Sequence, residues 1–149
     1  VTVVDLMPEC VELARENSAE EGVGDRVDAI QGVAEALPFD DGVIDLVVSR
    51  GSIFFWQDQK QGLAEVYRVL RPGGWAWIGG GFGTAELLRE IEAVKADDPE
   101  WNRKRKERMR QNPPEHFRAM LQRLGIKGVV EHQEAGTWII FRKPEAAEA

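Results

Sequence analysis

The sequence predicts an α/β fold, in which a mostly parallel sheet carries helices on both faces and ends in an antiparallel hairpin. Two observations lead there. Short apolar strand patterns alternate with longer helical ones from the first residue to about residue 124. That alternation implies parallel strands joined by right-handed crossovers. Two further strand patterns, 128–134 and 137–142, follow with only Ala135-Gly136 between them. A turn that short joins antiparallel neighbours only.

Each element has its own signal. Residues 1–5 (Val-Thr-Val-Val-Asp) read as a buried strand ending in an acid, and 8–21 as a helix stopped by Gly22-Val23-Gly24. Residues 27–31 form a short strand, 32–39 a loop, Asp40-Asp41-Gly42 a turn, and 44–49 a strong apolar strand. Leu63, Val66, Tyr67 and Leu70 recur at helical spacing over 59–70, and Arg71-Pro72-Gly73-Gly74 ends that helix. Residues 75–79 are a strand and 84–96 a helix with Leu87, Leu88, Ile91 and Val94 inward. Asp98-Pro99 reads as an N-cap with proline at the first helical position, opening a charged helix to about residue 111. Phe117, Met120, Leu121 and Leu124 share one face of a helix over 114–124, capped by Gly125. No repeat and no long linker divides the 149 residues, so 1–143 reads as one domain and the small, acidic 144–149 as a disordered tail.

Composition narrows the function. The formal charge of −7 argues against a general nucleic-acid binder. A single cysteine, Cys10, allows no internal disulfide and fits a cytoplasmic setting. No apolar run reaches the length of a membrane span. His116 and His132 lack metal-ligand spacing, so no metal site is expected, and both read as structural or exposed.

Asp5 is the most informative residue. An acid at a strand end, followed at once by a helix, is how α/β nucleotide sites hold a ribose through both hydroxyls. The plain alternative is a surface acid. Ser49-Arg50-Gly51-Ser52 lies at the carboxyl end of another strand, where open α/β sheets place ligands. The Ile53-Phe54-Phe55-Trp56 stretch beyond it is unusually aromatic. It reads partly as core packing and partly as a wall for a flat or apolar substrate.

Gly79-Gly80-Gly81-Phe82-Gly83 misses the dinucleotide fingerprint, because Thr84 stands where glycine or alanine is needed, and reads instead as a flexible hinge. The basic run 103–110 reads first as a solvated helix and second as a lid that attracts an anionic substrate.

Four segments, in order, resemble the class I S-adenosylmethionine-dependent methyltransferases, a family with a Rossmann-like sheet and a terminal hairpin. They are Val4-Asp5-Leu6-Met7-Pro8-Glu9, Gly32-Val33-Ala34-Glu35-Ala36-Leu37-Pro38-Phe39, the stretch 39–49, and Glu65-Val66-Tyr67-Arg68-Val69-Leu70-Arg71-Pro72-Gly73-Gly74. The small-molecule branch that includes quinone-biosynthesis enzymes is closest. The resemblance implies S-adenosylmethionine as cofactor and methyl transfer to a small-molecule acceptor, with no fixed catalytic triad.

It implies cofactor contacts at Asp5 (ribose), Leu6 and Met7 (adenine wall), Val33 and Ala34 (adenine edge), and Ser49, Arg50 and Gly51 (methionine portion). Phe54, Phe55 and Trp56 are the substrate candidates. Arg50 could instead hold an anionic substrate or make a surface ion pair, and Glu35 is read as a solvated loop acid.

Two departures stand out. The family's first strand and its glycine-rich loop are absent, which implies a fragment of a longer protein or an isolated chain that is rearranged or unstable. Members commonly carry an acid where Val33 stands, and valine cannot accept from the adenine amino group. A NAD(P)-type Rossmann domain and a non-catalytic interaction module with a degenerate cofactor site are the alternative readings; the terminal hairpin speaks against the first.

Overall fold

The computed structural model of the protein describes residues 1–145; the expected tail therefore lies mostly outside the described residues. Within it, Glu145 pairs with Arg142 at 2.7 Å.

The chain runs β1 (Thr2–Asp5), α1 (Pro8–Glu20), β2 (Asp28–Gln31), β3 (Ile44–Arg50), a 3-10 turn (Ile53–Phe55), α2 (Gln59–Val69), β4 (Leu70–Gly81), α3 (Ala85–Val94), α4 (Pro99–Gln111), α5 (Pro114–Leu124), β5 (Gly128–Gln133) and β6 (Gly136–Arg142). Helix starts follow their caps. Asp58, Thr84 and Asp98 each accept the N–H three residues on, at Gln61, Leu87 and Trp101. Gly125 ends α5 at φ +67°, where a side chain would be strained.

The strands form two sheets. β1 and β2 pair in parallel, with Val4 opposite Ile30. The other sheet has the order β3-β4-β6-β5, parallel between β3 and β4 and antiparallel beyond. Among the described residues no ladder joins β1 to β3, the place where the family resemblance puts a further strand.

The core lies on one face of the larger sheet. Ala76, Ile78, Ile139, Phe141 and Val130 meet Leu63 and Val66 of α2 and Phe117, Met120 and Leu121 of α5, all buried. Burying each such side chain contributes roughly 1.5–3 kcal/mol. The opposite face carries the paired row Val48, Trp77, Ile140 and Val129. There Val48 is 64% and Trp77 44% exposed.

Three local expectations change. β4 begins at Leu70, so Arg71-Pro72-Gly73-Gly74 does not end the helix in open loop; it is a bulge within the strand. Ile44 pairs Leu70, and the ladder resumes at Leu46 with Trp75. A bulge is one of the few places a sheet accepts proline, and Gly73 supplies φ +80°. The hairpin turn sits one residue earlier than read, at Glu134-Ala135, because Gly136 pairs with Gln133.

The glycine run is not a hinge: Gly79, Gly80 and Gly81 belong to β4. A Cβ on Gly79 would lie 2.2 Å from Thr137 O, and one on Gly81 the same distance from Ala135 O. These glycines exist so that β6 can approach.

Candidate cofactor and acceptor site

At the carboxyl end of β1, Asp5 accepts the Met7 N–H at 2.9 Å through one carboxylate oxygen. Among the described residues its other oxygen has no hydrogen-bond partner. Leu6 and Met7 beside it are 56% and 51% exposed. An open carboxylate next to exposed apolar side chains fits a ribose joined to an aromatic base. The loop after β2 lies against this point, since Gly32 N–H donates to Asp5 O and Gln31 Nε2 to Leu6 O, each at 3.0 Å. Val33, 37% exposed, bridges to Ala36 and leaves Ala34 on the turn between them.

That loop is held by a clamp the sequence reading did not single out. Arg68 on α2 donates to Leu37 O (3.0 Å) and Phe39 O (2.8 Å), and pairs with Asp41 and Glu65 at 2.7 Å each. Glu65 in turn accepts the Leu37 N–H at 2.9 Å. The Arg68 hydrogen bond, helped by the Leu37 N–H and the Arg68 charge, holds the Glu65 carboxyl below its ordinary range against the opposing effect of burial. Glu65 and Arg68 lie within the fourth quoted segment, but their partners are some 30 residues upstream, so spacing alone could not reveal the clamp. Glu35 is likewise tied in, accepting the Asp58 N–H at 3.1 Å.

The carboxyl end of β3 opens on a cavity of about 640 Å³. Arg50, Gly51, Phe54 and Phe55 line it on one side, and Gly80, Gly81 and Phe82 of the β4 end on another. Gly51, at φ +89°, donates to Gly79 O at 2.6 Å. A Cβ on Gly80 would lie 3.1 Å from Gly51 Cα and from the Phe54 ring. The glycine run thus lets the β3 turn settle against β4 and sets where Phe54 points. Ser49 bonds Ser52 through their hydroxyls instead of lining the cavity.

Of the three aromatic candidates, Phe54 and Phe55 are wall residues and Trp56 is not. Trp56 packs on Gly62, where a Cβ would meet its ring at 2.4 Å, and its Nε1 donates to Ser52 Oγ. Its ring packs against the core, as the Phe54 ring also does in part, but unlike Phe54 and Phe55 it does not line the cavity.

The charged helix α4 closes the cavity. Trp101, Lys104, Arg105, Arg108 and Met109 all line it, and their i, i+3, i+4, i+7, i+8 spacing puts them on one helical face. The solvated reading still holds for most of the helix, including Lys104, Arg108 and Met109 of this face, which stay exposed. Asp98 starts the helix, its carboxyl held low by the Trp101 N–H first and by Lys95 next. Arg105 sits near the faces of Phe82 and Trp101, at 5.8 and 5.5 Å. Trp101 and Met109 were the available signal, two apolar residues eight apart with cations between them.

His132 also lines the cavity, its Nδ1 2.8 Å from Thr137 Oγ1, whereas His116 bonds Gln59 on the core side. No helix is long and apolar enough to cross a membrane among the described residues.

Comparison with known proteins agrees with this geometry. A family model described as a methyltransferase domain matches residues 1–78. The 2-methyl-6-phytyl-1,4-hydroquinone methyltransferase 2 of Oryza sativa is 46% identical over 74 residues, which is 50% of this chain and 20% of that protein. A ubiquinone/menaquinone biosynthesis C-methyltransferase of Hahella chejuensis is 36% identical over 74 residues, 50% of this chain and 30% of that one. The chain thus matches under a third of the length of these curated relatives. A crystal structure from Methanococcus maripaludis, assigned as an S-adenosyl-L-methionine-dependent methyltransferase, superposes with TM-score 0.87 at 35% identity. It covers 97% of this chain and 67% of that one.

Proposed function

We propose that this chain, which belongs to the S-adenosylmethionine-dependent methyltransferase family, carries the acceptor site and the ribose and adenine contacts of an enzyme that methylates a small, flat molecule. The observation that carries the reading is the cavity at the carboxyl end of β3, which shares Arg50 and Gly51 with the strand end expected to face the cofactor. Methylation by relatives named for hydroquinone substrates supports a ring-shaped acceptor.

The cofactor supplies an activated methyl carbon and its positive charge. This chain's residues do the rest by binding and orientation. Asp5 accepts from the ribose hydroxyls, Leu6 and Met7 flank the adenine, and the Ala34 backbone N–H meets its edge while Val33 packs. Gly51 brings bare backbone near the methionine portion, with Ser49 and Arg50 beside it. Phe54, Phe55 and Phe82 fix the acceptor plane, and α4 excludes water above it. A glycine-rich segment, which the family resemblance places ahead of the ribose acid, would complete the cofactor site.

Calorimetric titration of the full-length protein with S-adenosylhomocysteine tests the reading. Binding should be measurable, and Asp5→Ala should weaken it by about 10- to 100-fold, the worth of one or two charge-assisted hydrogen bonds. Absence of binding by the parent would remove the methyltransferase assignment. An Asp5→Ala variant that binds as tightly as the parent would remove only the ribose role.

A further inference from the structure

We propose that the methyl acceptor carries an oxyanion on its flat apolar body, and that Arg108 of α4 is the group that receives it; this rests on the cavity being the acceptor site. Four cations line that cavity, but two are already neutralised. Arg105 pairs with Glu92 at 2.7 Å and Lys104 with Glu100 at 2.6 Å. Among the described residues Arg108 and Arg50 pair with no carboxylate. The one acid on the wall, Glu134, leans to Arg89 at 3.6 Å. The cavity is therefore locally positive in a chain whose formal charge is −7.

The posture of Arg108 matters as much as its charge. Its guanidinium carbon lies 4.7 Å from the Phe55 ring centroid, over the ring. A guanidinium held over a ring face by its carbon still has N–H donors at its edge that can meet two oxygens at once. Arg50 spends one N–H on Gly81 O at 3.2 Å and keeps the others. A neutral acceptor would crowd two cations against Phe54, Phe55 and Phe82 with no counter-charge, and partial desolvation of an unpaired charge is unfavourable. An oxyanion removes that cost and sets which way round the ring lies. A carboxylate and a phosphate ester offer the same chemistry to Arg108.

The test uses calorimetric titration of the full-length protein with three probes of one shape: 2-naphthoate, 2-naphthyl phosphate and 2-naphthalenemethanol. At least one anionic probe should bind about tenfold or more tightly than the alcohol, the scale of one charge-assisted hydrogen bond. The tighter of the two names the oxyanion. Arg108→Gln should erase the preference and Arg108→Lys should keep part of it, with affinity for S-adenosylhomocysteine unchanged in both. Arg108 is exposed, so neither change threatens the fold. Equal binding of the alcohol and both anions by the parent overturns the proposal, as does a preference that survives in Arg108→Gln. A parent that fails to bind S-adenosylhomocysteine while preferring the anions would sink the methyltransferase reading and leave the anion site standing.

Discussion

The proposed cofactor side and the proposed acceptor side of this molecule are built on opposite plans. Around Asp5 the contacts are a few hydrogen bonds, some local and one set distant: Asp5 with Met7, Val33 with Ala36, and a loop pinned by an arginine from α2. Around the cavity they are long-range, with Arg50, Phe82, Arg108 and His132 brought together from four separate elements or turns. The first depends on a few hydrogen bonds in open surroundings. The second depends on how closely bare backbone can approach. Damage to the cofactor side should therefore weaken a ligand and spare the fold, whereas damage to the close-packed glycine backbone under the cavity should unfold it.

The sharpest way to break that contrast is Gly79→Ala. Its Cβ would need the space of Thr137 O, so β4 and β6 must part, and destabilisation of about 3 kcal/mol or more is expected in urea titration. Gly24→Ala is the control: its Cβ would lie 3.5 Å from Ala19 in ordinary contact, so a change within about 0.5 kcal/mol is expected. Equal losses in the two variants would show that close approach is not what the glycine run provides.

Next in size is Arg68→Met, which removes the clamp but leaves the sheet ladders intact. Amide exchange at Leu37 and Phe39 should quicken markedly and affinity for S-adenosylhomocysteine should fall, while exchange at Ile78 and Ile139 stays slow. Quickening spread evenly over both sets would mean that the clamp belongs to the global fold.

The same clamp predicts a pH dependence. Glu65 is depressed in the folded state relative to its ordinary value of 4.5. Such a group stabilises fully above its unfolded value, and the contribution is lost as pH falls through the depressed folded one. Loop protection followed by exchange should thus hold from neutral pH down to about 4.5 and decline below it. Glu65→Gln should flatten that decline; an unchanged acid limb in this variant would assign the titration elsewhere.

The smallest effect expected is a gain. Val33→Asp puts an acceptor where the family commonly has one, on an exposed position with no core to disturb. Affinity for S-adenosylhomocysteine should rise a few-fold, up to about tenfold for one added hydrogen bond. No gain would show that the adenine edge lies away from Val33.

Reading the chain alone located α2, α4 and α5 almost to the residue, because Asp98 and Gly125 are local caps and the apolar stripes of α2 and α5 have helical period. It separated Phe54 and Phe55 from Trp56 only in number, not in name, since all three share one aromatic pattern and differ by what stands opposite. Gly62 draws Trp56 inward, and nothing near position 56 announces a glycine as its partner. The bulge at 71–74 was hidden because Pro-Gly-Gly after a helix has the same composition whether it ends in a loop or inside a strand.

Class of fold and cofactor family were written in contiguous residues, where capping, period and strand-end chemistry act over a few positions. The shape and charge of the acceptor cavity were not. They depend on which side of α4 turns inward and on which of its cations find a carboxylate. Those outcomes come from packing between elements far apart in the chain, and only the assembled sheet brings the partners within reach.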